Sequence, residues 1–458
     1  MLDYTIIISY LSVILLLGLW SGKGMKTLQE FSVSHRSYTS MAIFATLSAS
    51  FIGGGFSIGN AEKVFRIGIV NIVALWGFSL KELLVARFIA PRMGNFPDVI
   101  SVGDIMERGY GKLAKIITGF LSVFLCAGIV GAQVGAMGLI FNVFLDIRPI
   151  WGIFIGCGIV IAYSTAGGMR AVVLTDIVQF CLLAIGIPMV LVFGIVKLGG
   201  FSAIKDAVPH GHFSIPGEAM TTGAFLSLFL TFLLGETLVP PYVQRLLIGK
   251  DPTHIARGTM LSGIFSIPFF AITGAIGLVA LALDPKLDPN LVMPHVIRSV
   301  LPIGIRGIVI AGVISIVMSS ADSFLNGAAT SFINDLVKPL RRNPLSERYE
   351  LLLVKLTNCF VGILAVIFAI KIDSVLDILI YAYNFWAPVI VVPLAAVLLG
   401  FNVTKAGFLA GTMAGIAGAL VWNRLLGTPM GISGLVVGVF CNLIVFTVIN
   451  KFSTTHAE

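Results

Sequence analysis

The sequence predicts an all-α polytopic membrane protein, and three observations carry that prediction. Of the 458 residues, 57% are hydrophobic and 11% charged, where a soluble domain carries about 25% charged residues. Mean hydropathy is +1.01; no soluble core of this size could hide so much apolar surface, which leaves lipid as its solvent. The apolar residues also fall in runs of about 20, the length that spans a hydrocarbon core. Soluble globular and disordered classes are excluded. Two of the runs are interrupted at matching places in two halves of the chain. That pattern points to an inverted-repeat transporter with its site near the bilayer midplane.

About thirteen candidate spans centre near residues 12, 50, 80, 130, 157, 185, 233, 270, 318, 361, 388, 414 and 440. The first is read as a retained helix: no basic stretch precedes it and no small-residue cleavage site follows. The second, ATLSASFIGGGFSIGNAEKVF, holds Gly53, Gly54 and Gly55 in a row. The seventh, FLSLFLTFLLGETLVPPYVQRLL, holds Gly235, Glu236, Pro240 and Pro241. Glycine weakens a helix and proline removes a donor. In lipid such a break survives only where protein or a water-filled cavity satisfies the backbone. The longest polar connections, 199–220, 284–302 and the basic run 336–350, are too short for a folded extramembrane domain. Lys and Arg, with Arg245 counted among the inner ones, favour the connections on one side roughly twofold if the N-terminus lies outside and the C-terminus in the cytoplasm. A multi-pass protein of the cell membrane is expected. The five cysteines all lie in apolar segments, which suits packing and not a disulfide framework.

Ionisable groups at mid-membrane are costly and mark function. Asp176, Glu236 and Asp322 stand out. In VISIVMSSADSFLNGAATSFIND, Ser319, Asp322 and Ser323 share one helix face, flanked by Ser320. Hydroxyls and carboxylates are hard oxygen donors that suit hard cations, with backbone carbonyls of the broken second helix as further ligands. Serine back-bonding with an interhelical Asp–Ser hydrogen bond fits the same residues. Glu236, inside a break, suits solute contact, a proton or a half-helix cap. The six histidines fall in or beside loops and give no membrane metal set, which argues against a haem or zinc enzyme. No Ser–His or HExxH arrangement is visible, so no enzyme is expected. The net charge of +8 reads as topology and not as nucleic-acid binding.

At these segments the sequence resembles the sodium:solute symporter family (solute carrier 5-like) over nearly its whole length. AYSTAGGMRAVVLTDIVQF is similar to the family's GG pair followed by AV and TDxxQ. VMSSADS, PPYVQR and the first connection KTLQEFSVSHRS match in order. The resemblance implies a leucine-transporter-like fold with two inverted five-helix repeats. A leading helix and first cytoplasmic loop would take residues 1–37, the first repeat 38–200, the second 219–400, and two trailing helices 401–458. It implies a sodium site at Ala49, Ile52, Ile316, Ser319 and Ser320. Some members have a second cation site, here Asp176, Ser319, Asp322 and Ser323. FIGGGFSIGNAEKVF and QRLL resemble the choline-transporting branch. That branch's tryptophan cage would fall on Phe51, Cys126 and Val239, of which one is aromatic. The sugar carriers' glutamine falls on Ile380.

The expected function is sodium-coupled symport of a small organic solute by alternating access, with Na+ as coupling ion and no other cofactor. Glu236 suits an amine, so an amino acid or another amine is preferred. A proton-coupled carrier and a carrier for small monocarboxylates are the alternatives. The solute would lie near Phe51, Gly53, Gly54, Gly55, Glu236, Val239, Tyr242, Tyr383 and Asn384. The expected partners are the solute, sodium and membrane lipid, with no nucleic acid; a monomer or an oligomer fits.

Overall fold

The structure, a computed structural model, describes residues 1–216, 220–371, 383 and 385–455. Among these residues the regular elements are helices: α1 (Leu2–Ser21), α2 (Ser40–Phe51), α3 (Gly54–Ile67), α4 (Val70–Leu84), α5 (Lys112–Leu145), α6 (Pro149–Leu198) and α7 (Thr222–Leu234). They continue as α8 (Pro240–Leu247), α9 (Pro252–Leu283), α10 (Ile305–Ser331), α11 (Glu347–Lys371), α12 (Val392–Leu399), α13 (Lys405–Leu420) and α14 (Gly434–Thr455). By length and composition eight described helices could cross a membrane, or nine if the bent pair α2–α3 is one span.

The helix starts carry local signals. Thr221, Asp251 and Thr404 accept a hydrogen bond from a backbone N–H of the first turns of α7, α9 and α13. Helix α6 runs for 50 residues, about 75 Å if straight, more than twice a hydrocarbon core of about 30 Å. It is broken at Gly168, where φ is 50° and ψ is −143°. A Cβ at Gly168 would lie 2.7 Å from the Phe31 carbonyl oxygen, so this second glycine of the GG pair is required by both conformation and space.

Helix α10 is the axis of the molecule. Of its most apolar 18-residue stretch 94% is buried, against 28% to 61% in the other seven long apolar helices. It packs against α1, α5, α6 and α11. The peripheral helices keep large apolar side chains outside, such as Phe360 (60% exposed) and Ile444 (63%), as lipid contact requires. A short backbone bridge joins the segment before α2 to the segment after α8: Tyr38 N–H donates to the Ile248 carbonyl (3.2 Å) and Lys250 N–H to the Tyr38 carbonyl (3.0 Å). The two interrupted helices are thereby tied together at one end.

Candidate functional site

Both expected breaks occur. Helix α2 stops at Phe51, Ile52 leaves helical geometry (φ −87°, ψ 46°), Gly53 is extended, and α3 starts at Gly54. The two axes differ by 53°. Helix α7 ends at Leu234, a turn holds Gly235–Leu238, and α8 starts with Pro240 and Pro241 in its first turn, where a missing N–H costs nothing. Leu238 in that turn has φ +56°.

The first break frees carbonyls, and α10 meets them. Ser319 Oγ donates to the Ala49 carbonyl at 2.7 Å and Ser320 Oγ to the Ser50 carbonyl at 2.8 Å. Each hydroxyl is also 3.2 Å from the Ile316 carbonyl, one helical turn back. Gly53 is needed beside them, because a Cβ there would sit 2.5 Å from Ser320 Oγ. Four of the five expected sodium-site residues, Ala49, Ile316, Ser319 and Ser320, therefore come together. Ile52 departs from the expectation: its carbonyl accepts from Ser57 Oγ at 3.0 Å, one turn into α3. The Ser50 carbonyl faces α10 in its stead. Which carbonyls a break releases depends on where the chain turns, and the sequence does not carry that.

The residues of the second expected cation set lie together, with Asp176 joined to Ser323 through Ser50 and Arg245, each of which touches both. Ser323 Oγ donates to the Ser319 carbonyl (2.6 Å) and lies 3.0 Å from Asp322 Oδ1. Asp322 Oδ2 accepts from Tyr163 OH at 2.5 Å. Asp176 Oδ2 instead accepts from Thr46, from Ser50 Oγ at 3.0 Å and from Arg245 at 3.3 Å. The Arg245 guanidinium is fully buried and also donates to Ser50, Ser323 and the Pro241 carbonyl. The count of Arg245 among inner-side topology charges is thus corrected: it is an interior ion-pair partner. Asp176, Asp322 and Arg245 are all fully buried, so the seam gathers two carboxyl groups and one guanidinium away from water.

Beside this seam lies a buried wall of side chains from α2, α4, the α7–α8 break and α8. Phe51 and Tyr242 meet edge to face at 5.2 Å. Glu236 is buried; its Oε1 accepts from Tyr383 OH, while Oε2 has no hydrogen-bond partner among the described residues. Trp386 Nε1 donates to the Thr237 carbonyl at 3.1 Å and steadies the same break. Val239 is buried and caps α8. Gly54 faces Gln133 and Val317, and Gly55 is exposed. Asn384 and Ile380 lie outside the described residues.

A charged pair that sequence reasoning passed over completes this wall. Lys81 and Glu82 on α4 are 2% and 0% exposed, with Lys81 Nζ 2.8 Å from Glu82 Oε1. Tyr242 OH donates to Glu82 Oε2 at 3.1 Å. Lys81 Nζ stands 3.8 Å from the Phe78 ring centroid, 4.5 Å from that of Tyr242 and 5.8 Å from that of Phe51. An ammonium over ring faces is attracted by their quadrupoles, by about 2 kcal/mol when desolvated. The signal was present, since a Lys–Glu dipeptide in the apolar run WGFSLKELLVARF is the kind of intramembrane charge that marks function. Among the described residues no group of three or more His, Cys, Asp or Glu could hold a metal ion. The oxygen set at α2–α10 is of a different kind: neutral hydroxyls and carbonyls, which suit a small hard monovalent cation.

The family model described as "Sodium:solute symporter family" matches residues 31–415. Among curated relatives, the human high affinity choline transporter 1 is 28% identical over 64% of this chain and 54% of its own length. The sodium/glucose cotransporter of Vibrio parahaemolyticus is 24% identical over 63% of this chain and 57% of its own length. The Xenopus laevis sodium-coupled monocarboxylate transporter 1 is 24% identical over 46% and 34%. The matches thus span about a third to somewhat over half the length of these relatives. Among solved structures, a Na+-coupled sialic acid symporter superposes with a TM-score of 0.88 over 99% of this chain and 98% of that one, at 19% identity. Mhp1, a nucleobase-cation-symport-1 family transporter, superposes with a TM-score of 0.58 at 15% identity, over 92% of this chain and 95% of that one. These likenesses show a shared transporter fold. The match over residues 31–415 is decisive for kinship: the chain belongs to the sodium:solute symporter family.

Proposed function

We propose that the protein is a sodium-coupled symporter of a small amine-bearing organic solute, such as an amino acid, in the cell membrane. One observation carries this reading: the Ser319 and Ser320 hydroxyls lie 2.7 and 2.8 Å from the carbonyls that the α2 break leaves free. Four neutral oxygens from two elements converge there, next to a seam with two buried carboxyl groups. Sodium would take those oxygens as ligands and join α2 to α10. The residue after Ser50 is Phe51, which packs on Tyr242 in the buried wall of side chains, so the ion would order that wall. Each ligand would then raise affinity for the other. The fold class and family support alternating access, with residues 38–200 and 219–400 as inverted five-helix repeats within thirteen spans. The N-terminus would lie outside and the C-terminus in the cytoplasm.

Glu236 supports the amine. Its Oε2 is buried and unpartnered among the described residues, and a buried carboxylate oxygen calls for a donor. The Lys81 ammonium does not call for a solute carboxylate in the same way, because Glu82 already stands 2.8 Å from it. The test is uptake of labelled amino acids and simple amines into proteoliposomes under an inward sodium gradient. Sodium-driven accumulation of an amine-bearing solute is expected. Accumulation driven equally by a proton gradient without sodium would replace the reading with the proton-coupled one.

A further inference from the structure

We propose that Lys81 is a specificity-determining residue whose own ammonium occupies an aromatic box that would otherwise bind a free ammonium ion. The proposal rests on reading the region between the two breaks as the solute site. The box has four walls from three parts of the chain. Phe78 on α4, Tyr242 on α8 and Phe51 at the end of α2 present rings 3.8, 4.5 and 5.8 Å from Nζ. Glu82 supplies the carboxylate at 2.8 Å, held by Tyr242 OH at 3.1 Å. Rings around a cation with one carboxylate is the arrangement that recognises alkylammonium groups. Here the occupant is tethered, and its effective concentration exceeds that of any dissolved amine. Two of the rings, Phe51 and Tyr242, lie next to the two helix breaks, so the box sits between the two interrupted helices. It follows that the carrier rejects quaternary and simple alkyl ammonium ions from the box. A solute's amine is left with Glu236, whose Oε2 is the one carboxylate oxygen of this wall with neither a cation nor a hydroxyl beside it among the described residues.

Removing the tether should open the box. Lys81→Ala deletes the equivalent of one n-propylammonium ion, which is therefore the probe. The purified full-length protein is measured by thermal unfolding with n-propylammonium, 1-propanol or neither, each in sodium and in potassium. Relative to 1-propanol, n-propylammonium should stabilise the wild type, where only Glu236 is open to an amine, less than it stabilises Lys81→Ala. Lys81→Ala should unfold at lower temperature and recover at least half of the lost Tm with n-propylammonium, and none with 1-propanol. A folded Lys81→Ala on which the two probes act alike overturns the proposal, as does a wild type that responds to the ammonium as the variant does. If Lys81→Ala does not fold, the double variant Lys81→Ala/Glu82→Gln removes the stranded carboxylate and keeps the three rings. It should still prefer n-propylammonium to 1-propanol, by a smaller Tm margin than Glu82 would give; equal response overturns the proposal. The sodium arm keeps the two readings apart: loss of a sodium-specific shift in the wild type would sink the coupling while leaving the ammonium result standing, and the converse holds.

Discussion

The α2–α10 seam and the Lys81 box are neighbours along the first broken helix, yet they accommodate positive charge in different ways. The seam offers neutral oxygens, two hydroxyls and two carbonyls, with the charge supplied by Asp176, Asp322 and Arg245 nearby. The box offers ring faces and one carboxylate, and a lysine of the same chain fills it. A small hard ion that must come and go meets weak, uncharged ligands, each easily released. A permanent charge meets a carboxylate and aromatic rings. The difference teaches that the proposed sodium site is the one built without a charged ligand of its own.

The comparison can be broken at four points. The largest effect should come from Arg245→Met, which strands Asp176 in the interior; losing one partner of a buried ion pair costs about 3–5 kcal/mol. The expected result is loss of folded protein on size-exclusion chromatography, restored in part by adding Asp176→Asn. Next, Gly53→Ala puts a Cβ 2.5 Å from Ser320 Oγ, a hydroxyl that makes room only by leaving the Ser50 carbonyl. It should abolish sodium-driven uptake while leaving a helical, monodisperse protein. Glu236→Gln keeps the shape and an acceptor for Tyr383 but removes the charge. It should weaken amine-solute binding by about tenfold or more, as removing one partner of a close charge pair does, with the sodium response retained. The smallest effect is expected for Tyr242→Phe, which removes the hydroxyl 3.1 Å from Glu82 Oε2 and keeps the ring. About 1 kcal/mol of stability should be lost, read as a modest fall in Tm.

The sequence showed the fold class and the two breaks because both rest on local chemistry: run length, apolar content, a glycine triplet and a proline pair. The family resemblance pointed to Ser319 and Ser320, and the shared helix face of Ser319, Asp322 and Ser323 was legible from their spacing. The sequence did not show that the Ser50 carbonyl would serve where Ile52 was expected. A hydrogen bond from Ser57 Oγ, 3.0 Å from the Ile52 oxygen, decides that, and it forms only after the chain has turned. Arg245 was misplaced because a positive charge at the end of an apolar run ordinarily reads as an interface residue. Its partner Asp176 lies 69 positions away, and nothing local links the two. Lys81 and Glu82 were legible as intramembrane charges, but the rings that hold Lys81 come from three helices and needed the packing to find.

The central claim is that Ser319 and Ser320 with the Ala49 and Ser50 carbonyls bind sodium. The most direct test is the thermal unfolding of the wild type and of Ser319→Ala/Ser320→Ala, titrated with sodium at constant ionic strength against potassium. A ligand that binds only the folded state raises Tm in a saturable way. The account predicts a saturable, sodium-specific rise in the wild type and none in the double variant, with both proteins folded in potassium. A wild type indifferent to the choice of ion, or a double variant with an unchanged sodium response, would contradict it.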